Sequence, residues 1–445
     1  MPLAPSSPPL ATDAAPLIRC HDCDLLQAVP PLPAGGSLKC ARCGAGLIDA
    51  KPDHFERAFV LYLTAFILLI VANSFPFLTM KVQGLVQSSH LLSGALTLFD
   101  EGMGEVAIAV IFFVFVAPLV KIVTGLMVVG SLAYGRGFRG AEALYRLFDR
   151  LHPWAMTEIF LLGVLVAYTK LVDLATVVIG PSMFAFVGLI LVTIAADSAI
   201  DPHQVWERLR PAPRLPPPTE EERRRLVGCH TCQLVVELPR STQGIESLCP
   251  RCGSVLHRRK PNSLARTAAF LITAALLYIP ANVYPVMTLS ALGSGAPSTI
   301  LGGVMELIAA DMWPLALIVF TASVLVPMLK LISMSWLVIS VHTRSRWRLR
   351  DRTLIYRLNE LVGRWSMVDV FVITILVALV QLGSLANILP DVGILAFACV
   401  VVLTMLAALC FDPRLMWDRA GANEPAEELR DEPVAVAQLR EPARP

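Results

Sequence analysis

Apolar windows of about 20 residues recur along this chain, and each is long enough to cross a bilayer as a helix. Hydrophobic residues make up 55% of the sequence and charged residues only 16%, against roughly 25% charged in ordinary soluble domains. The chain therefore reads as an all-α polytopic membrane protein. A first span is expected from about Ala58 to Phe77. A second, about Val106 to Tyr134, is interrupted by Pro118; a third runs from about Trp154 to Val178 and a fourth from about Pro181 to Ile200. Between the second and third, Leu144, Leu147, Phe148 and Leu151 fall on one helical face, as in a helix lying on a membrane surface.

Before the first span stands C-H-D-C, sixteen residues, then C-A-R-C-G: Cys20, Cys23, Cys40 and Cys43. A second copy with identical spacing supplies Cys229, Cys232, Cys249 and Cys252. Two knuckles of this kind match zinc ribbons. Two residues between cysteines let both sulfurs face one ion, and two knuckles complete a tetrahedral thiolate site. A domain of roughly 30 residues buries too little core to fold alone, so the metal supplies its folding energy. Two Zn²⁺ ions are expected, one per ribbon. Disulfides need an oxidising compartment, and an iron centre is the alternative metal reading.

The whole arrangement occurs twice. Adding 209 carries Cys20 to Cys229, Asn73 to Asn282, Pro118 to Pro327 and Lys121 to Lys330; after a two-residue insertion, 211 carries Tyr145 to Tyr356, Trp154 to Trp365 and Asp201 to Asp412. Four spans per copy give both copies one orientation, a tandem parallel repeat of ribbon plus four helices, with eight spans in total. The expected organisation is a disordered lead (1–17), ribbon 1 (18–50) and membrane module 1 (55–207). A Pro/Arg-rich linker (208–226), ribbon 2 (227–260), module 2 (264–418) and a disordered tail (419–445) follow. The lead lacks the basic and apolar regions of a cleaved signal peptide.

The segment from Thr343 to Arg364 carries seven arginines, whereas the loops on the opposite side carry almost no positive charge. The positive-inside rule then places both termini, both ribbons and the linker in the cytoplasm. A reducing compartment favours metal over disulfides.

Ionisable residues inside a membrane usually have a function. Lys121 and Lys330 match in the second spans, and Glu158 and Asp369 match near the start of the third. Cross-helix pairs Lys121–Glu158 and Lys330–Asp369 are expected, with snorkelling to the interface as the alternative. Lys170 and Asp173 lie one turn apart on the third span, where the second copy has Gln381 and Ser384. Such a pair facing a cavity could relay protons or bind a phosphate headgroup; an early end to the span would instead leave it at the outer interface. The A-N-x-x-P segments containing Asn73 and Pro76, and Asn282 and Pro285, close the first spans. They read equally as broken helix ends lining a cavity and as terminating caps.

Over residues 18 to 420 the ordered combination of eight cysteines, four-span modules and A-N-x-x-P segments resembles the paraquat-inducible protein A / LetA family. The resemblance implies an integral inner-membrane protein of Gram-negative bacteria that works with a periplasmic mammalian-cell-entry (MCE) domain protein in moving lipids between the two membranes. It also implies zinc in the ribbons. No G-x-x-x-x-G-K-[ST] loop and no nucleophile–base constellation points to an enzyme. A redox protein with iron tetrads and a non-transporting scaffold are the other readings.

Overall fold

The computed structural model describes residues 16–33, 35–49, 55–82, 85–135, 137–172, 175–212, 219–238, 247–291, 294–309, 311–381, 386–422 and 438–440. They form two compact units. One holds residues 55–199 and 260–412; the other gathers residues up to 54 with 200–259 and 413–445.

The first unit contains eight helices long and apolar enough to cross a membrane: Phe55–Ser74, Gly104–Ala133, Ala141–Leu171 and Pro181–Ala199, then Ser263–Val283, Ala316–His342, Leu349–Leu379 and Val392–Cys410. They are called the first to eighth spans below. In each copy the first helix packs along the last, so the first span lies on the fourth and the fifth on the eighth. The third and seventh spans pack on each other and join the two copies. Phe160 meets Phe371 edge to face, with ring centroids 5.5 Å apart. Gly163 makes this approach possible, since a Cβ there would lie 2.9 Å from Phe371 Cβ. Burial follows the same plan: the most hydrophobic window of the seventh span is 72% buried and that of the fifth only 22%. Ile272, Leu276 and Ile279 of the fifth span face outwards, as expected of side chains meeting acyl chains.

Pro118 and Pro327 interrupt the second and sixth spans in a specific way. Each follows a five-residue π-helical stretch, Phe112–Val116 or Thr321–Leu325. The N–H of Ala117 bonds the Phe112 carbonyl, and that of Val326 bonds the Thr321 carbonyl. A proline has no N–H and crowds the carbonyl four residues before it; the wider turn absorbs both effects and the helix continues.

The fold is not all-α. Leu78–Val82 pairs antiparallel with Leu85–Ser89 and with Thr176–Ile179. In the second copy Met287–Ala291 pairs in the same way with Ser294–Ser298 and Ala386–Pro390. Each sheet ties the chain leaving the first helix of its copy to the chain leaving the third. The alternation is legible afterwards: Leu78 and Met80 are buried while Lys81 is exposed. Strands of five residues or fewer beside 20-residue apolar windows leave little pattern to read; the third span, expected to reach Val178, ends at Leu171, and Thr176–Ile179 is a strand.

The second unit contains the two ribbons. Leu17–Arg19 pairs with Leu26–Ala28, Ser37–Lys39 with Gly46–Asp49, and Leu226–Gly228 with Val235–Glu237. Within the segment expected to be a disordered tail, Gln438–Arg440 adds a strand to Ser37–Lys39. An open sheet edge presents unpaired N–H and C=O groups that a passing segment can satisfy.

Candidate functional site

All four cysteines of each ribbon converge. Their sulfurs lie within 4.8 Å of one another in both clusters. Cys20–Cys43 and Cys23–Cys40 are each 3.5 Å apart, as are Cys229–Cys252 and Cys232–Cys249. A tetrahedron with ~2.3 Å metal–sulfur arms has edges of about 3.8 Å, so the donor set fits one ion. None of the eight is in a disulfide. Each knuckle turns on a residue of positive φ directly after its second cysteine: Asp24 (61°), Gly44 (70°), Gln233 (58°) and Gly253 (69°). At these turns the N–H of that residue bonds the carbonyl of the first cysteine, as in Asp24 to Cys20 and Gly253 to Cys249. Both clusters are thus able to hold a metal ion.

The ribbons differ outside the sulfurs. Gln27, fully buried, donates from Nε2 to Cys40 Sγ at 3.2 Å and accepts from the Ala41 N–H at 2.9 Å. The matching position of ribbon 2 is Val236. Asp24 collects arginines: Arg259 at 2.8 Å, Arg19 at 3.2 Å and Arg414 at 4.0 Å. Arg259 also grips Asp418 through two bonds of 2.5 and 2.7 Å. Burial alone would lower the Arg259 pKa, but Asp418 and Asp24 hold it above the ordinary value. Burial lowers that of Arg19, with Asp24 opposing. This network joins ribbon 1 to the chain after ribbon 2. Arg251, within the last knuckle, pairs with Glu207 at 2.5 Å.

Inside the membrane unit the expected ion pairs are different. Lys121 does not pair with Glu158; its ammonium lies 2.6 Å from Asp197 Oδ2 on the fourth span. Tyr62 donates to the other carboxylate oxygen at 2.8 Å. The Phe148 ring lies 6.0 Å below the ammonium, a cation–π contact made by the short helix Ala141–Leu151. Glu158 is exposed, although it lines the same small cavity as Lys121. The first span, carrying Tyr62, packs against both the second and the fourth spans, where Asp197 and Lys121 meet. The sequence signal for Asp197 is an ionisable residue near the end of an apolar window.

Lys330 does not pair with Asp369 either. Its ammonium donates to the Gly363 carbonyl at 3.4 Å. Among the described residues Asp369 Oδ2 is buried without a hydrogen-bond partner, while Ser323 lies beside the carboxylate. The charge it experiences comes from Lys170 of the other copy; Glu306 also acts on Lys170. Asp173 and Ser384 lie outside the described residues, and Gln381 forms an isolated bridge with Asn387.

Both A-N-x-x-P segments turn the asparagine amide back onto their own helix. Asn73 Nδ2 donates to the Leu69 carbonyl, and Asn282 Nδ2 to the Tyr278 carbonyl, each at 2.8 Å. Beyond the helix end, the chain at Pro76 and Pro285 meets the start of the last span. The Gly393 N–H bonds the Pro285 carbonyl at 3.0 Å, and a Cβ on Gly180 would fall on the Pro76 carbonyl oxygen. The Ser182 hydroxyl donates to the Ala72 carbonyl.

Comparison with known proteins follows the doubled architecture. The family model for Paraquat-inducible protein A matches residues 55–210 and again 264–421. The chain is 37% identical over 418 residues to the Intermembrane transport protein PqiA of Escherichia coli (strain K12), covering 93% of this chain and 98% of that one. It is 31% identical over 407 residues to the Lipophilic envelope-spanning tunnel protein A of the same strain, covering 90% and 91%. It is 25% identical over 403 residues to a Probable intermembrane transport protein of Haemophilus influenzae, covering 90% and 95%. No solved structure matches the chain. A family match in each copy, together with relatives aligned over nearly their whole length, places the chain in the paraquat-inducible protein A family.

Proposed function

We propose that this protein is the multi-pass inner-membrane component of an intermembrane lipid-transport system, transferring (phospho)lipids to or from a periplasmic MCE-domain partner. The observation that carries the reading is the end-to-end similarity to proteins named for intermembrane transport. The eight apolar helices and the absence of a reaction centre in the motifs suit a carrier rather than an enzyme. The arginine-rich segment Thr343 to Arg364 sets both ribbons and both termini in the cytoplasm under the positive-inside rule. There the cysteine clusters remain reduced, and Zn²⁺ is the ion we assign to each.

Coupling to a proton gradient is assigned to Lys170, in the last turn of the third span, and to Asp173. Lys170 lies at the end of its helix and is acted on by Asp369 and Glu306 from the second copy. A proton moving on or off this group would therefore be sensed by both copies. The assigned role requires Asp173→Asn to slow gradient-driven lipid transfer; transfer at the wild-type rate with and without a pH gradient would refute it.

The reading as a whole is tested by purifying the tagged protein from native membranes and measuring metal, lipid and partner in one sample. Two zinc ions per chain, bound phospholipid and a co-purifying MCE protein are expected. Visible absorbance from iron, with neither lipid nor MCE partner, would replace the reading with a membrane redox protein.

A further inference from the structure

The two copies treat one buried lysine in opposite ways. In the first, Lys121 is neutralised by Asp197, which Tyr62 also holds. The repeat carries Lys121 to Lys330, but it carries Asp197 to Ala408 and Tyr62 to Leu271. The lysine is kept while its counter-ion and the carboxylate's donor are replaced by apolar residues. Lys330 is nevertheless only 3% exposed. An ammonium offers three donors, and among the described residues Lys330 has one acceptor, the Gly363 carbonyl at 3.4 Å.

The space left by the missing carboxylate is a cavity of about 320 Å³ lined by Lys330 and Ala408 themselves. Its other polar walls are His152, Arg357 and Arg364, with Glu360 as the one acidic group and Asn359 as a neutral one. The remaining wall is apolar and includes Leu361, Met405 and Leu409. Three basic side chains against one carboxylate beside an apolar wall suit an oxyanion carried on an apolar stem. A buried charge without a counter-ion is strongly unfavourable, and a ligand anion removes that cost.

We propose that this cavity is an oxyanion-binding site, in which a ligand supplies to Lys330 the negative charge that Asp197 supplies to Lys121. Charge-assisted bonds from Lys330 and the flanking arginines hold the anion, and the apolar wall accepts its stem. A phosphate headgroup from the adjoining leaflet and free phosphate share this chemistry. The inference stands apart from the transport reading, since it rests only on the copies' difference and the cavity.

The test uses the full chain, with both ribbons metal-loaded, in phosphatidylcholine nanodiscs. Retention of added phosphatidylglycerol is measured by native mass spectrometry, and binding of radiolabelled inorganic phosphate by equilibrium dialysis. The variants are Ala408→Asp, which rebuilds the first copy's pair, and Lys330→Met, which removes the charge. Each is expected to weaken binding roughly tenfold or more. Ala408→Asp should keep or raise the unfolding midpoint, showing that the loss is not misfolding. Retention of phosphatidylglycerol makes a lipid headgroup the ligand; phosphate binding without lipid retention makes it a soluble anion. Absence of both in the wild type, or equal binding in all three proteins, overturns the proposal.

Discussion

Asp197 accepts from Lys121 at 2.6 Å through one oxygen and from Tyr62 at 2.8 Å through the other. One carboxylate thus fastens the first, second and fourth spans of the first copy. Removing it leaves a buried ammonium uncompensated, so Asp197→Ala should destabilise the protein by about 3 kcal/mol. Replacing both partners, as in Lys121→Met with Asp197→Leu, should restore most of the loss. Thermal unfolding in detergent measures both, and an unchanged midpoint for Asp197→Ala would show that the pair contributes nothing.

Gln27 gives ribbon 1 a hydrogen bond to a ligand sulfur that ribbon 2, with Val236 at that position, does not have. Supporting groups of this kind typically change metal affinity by about 10- to 100-fold. Gln27→Ala should therefore release the metal of ribbon 1 at lower chelator concentration and leave ribbon 2 unaffected. Competition against a chromogenic chelator reads the two sites separately; a parallel shift of both would contradict the assignment.

Metal loss itself should unfold the ribbons, because so small a domain has little core without it. Cys43→Ser and Cys252→Ser should each lower the bound metal from two ions per chain to one. A Cys43→Ser protein that still holds two would show that ribbon 1 does not bind through its four cysteines.

His203 follows the fourth span, and among the described residues its buried Nδ1 has no hydrogen-bond partner. Burial lowers its pKa, and Arg251 acts in the same direction. The folded protein therefore holds the neutral ring, while the unfolded chain takes up a proton near pH ~6.5. Its stabilising contribution is complete above that pH and is lost as the pH falls towards the lowered folded value. His203→Gln should flatten this part of the stability profile, compared at pH values where metal analysis shows both ribbons still loaded. Identical slopes for the two proteins would remove His203 from the account.

Gly163 sits where the third and seventh spans cross, facing the Phe371 side chain and the Val368 carbonyl. Gly163→Val should separate the copies and cost about 1–3 kcal/mol through overpacking. Val164→Ala, one residue on and also buried, leaves the crossing open and provides the comparison. A Gly163→Val protein as stable as wild type would show that the crossing can relax.

Much of the architecture was readable because membranes impose long-range regularity on a sequence. Twenty-residue apolar windows, the arginine-rich segment and the repeat of Cys20 at Cys229 each survive without knowledge of packing. The A-N-x-x-P segments were half readable: Asn73 and Asn282 announced a helix end, but what that end faces depends on packing. The three-stranded sheets built on Leu78–Val82 and Met287–Ala291 were not readable, since one neighbour of each central strand lies more than 90 residues away.

The amino-acid sequence alone determined the eight apolar spans, the two tetrads of thiolate donors and the duplication relating them, because length, polarity and cysteine spacing are local properties. Only the tertiary structure decided which charges meet. Lys121 and Lys330 occupy equivalent positions in sequence, but Lys121 meets Asp197, 76 residues further on, and Lys330 meets the Gly363 carbonyl, 33 residues further on. A buried ion pair depends on the distance and direction between helices, and these are set by how apolar faces pack.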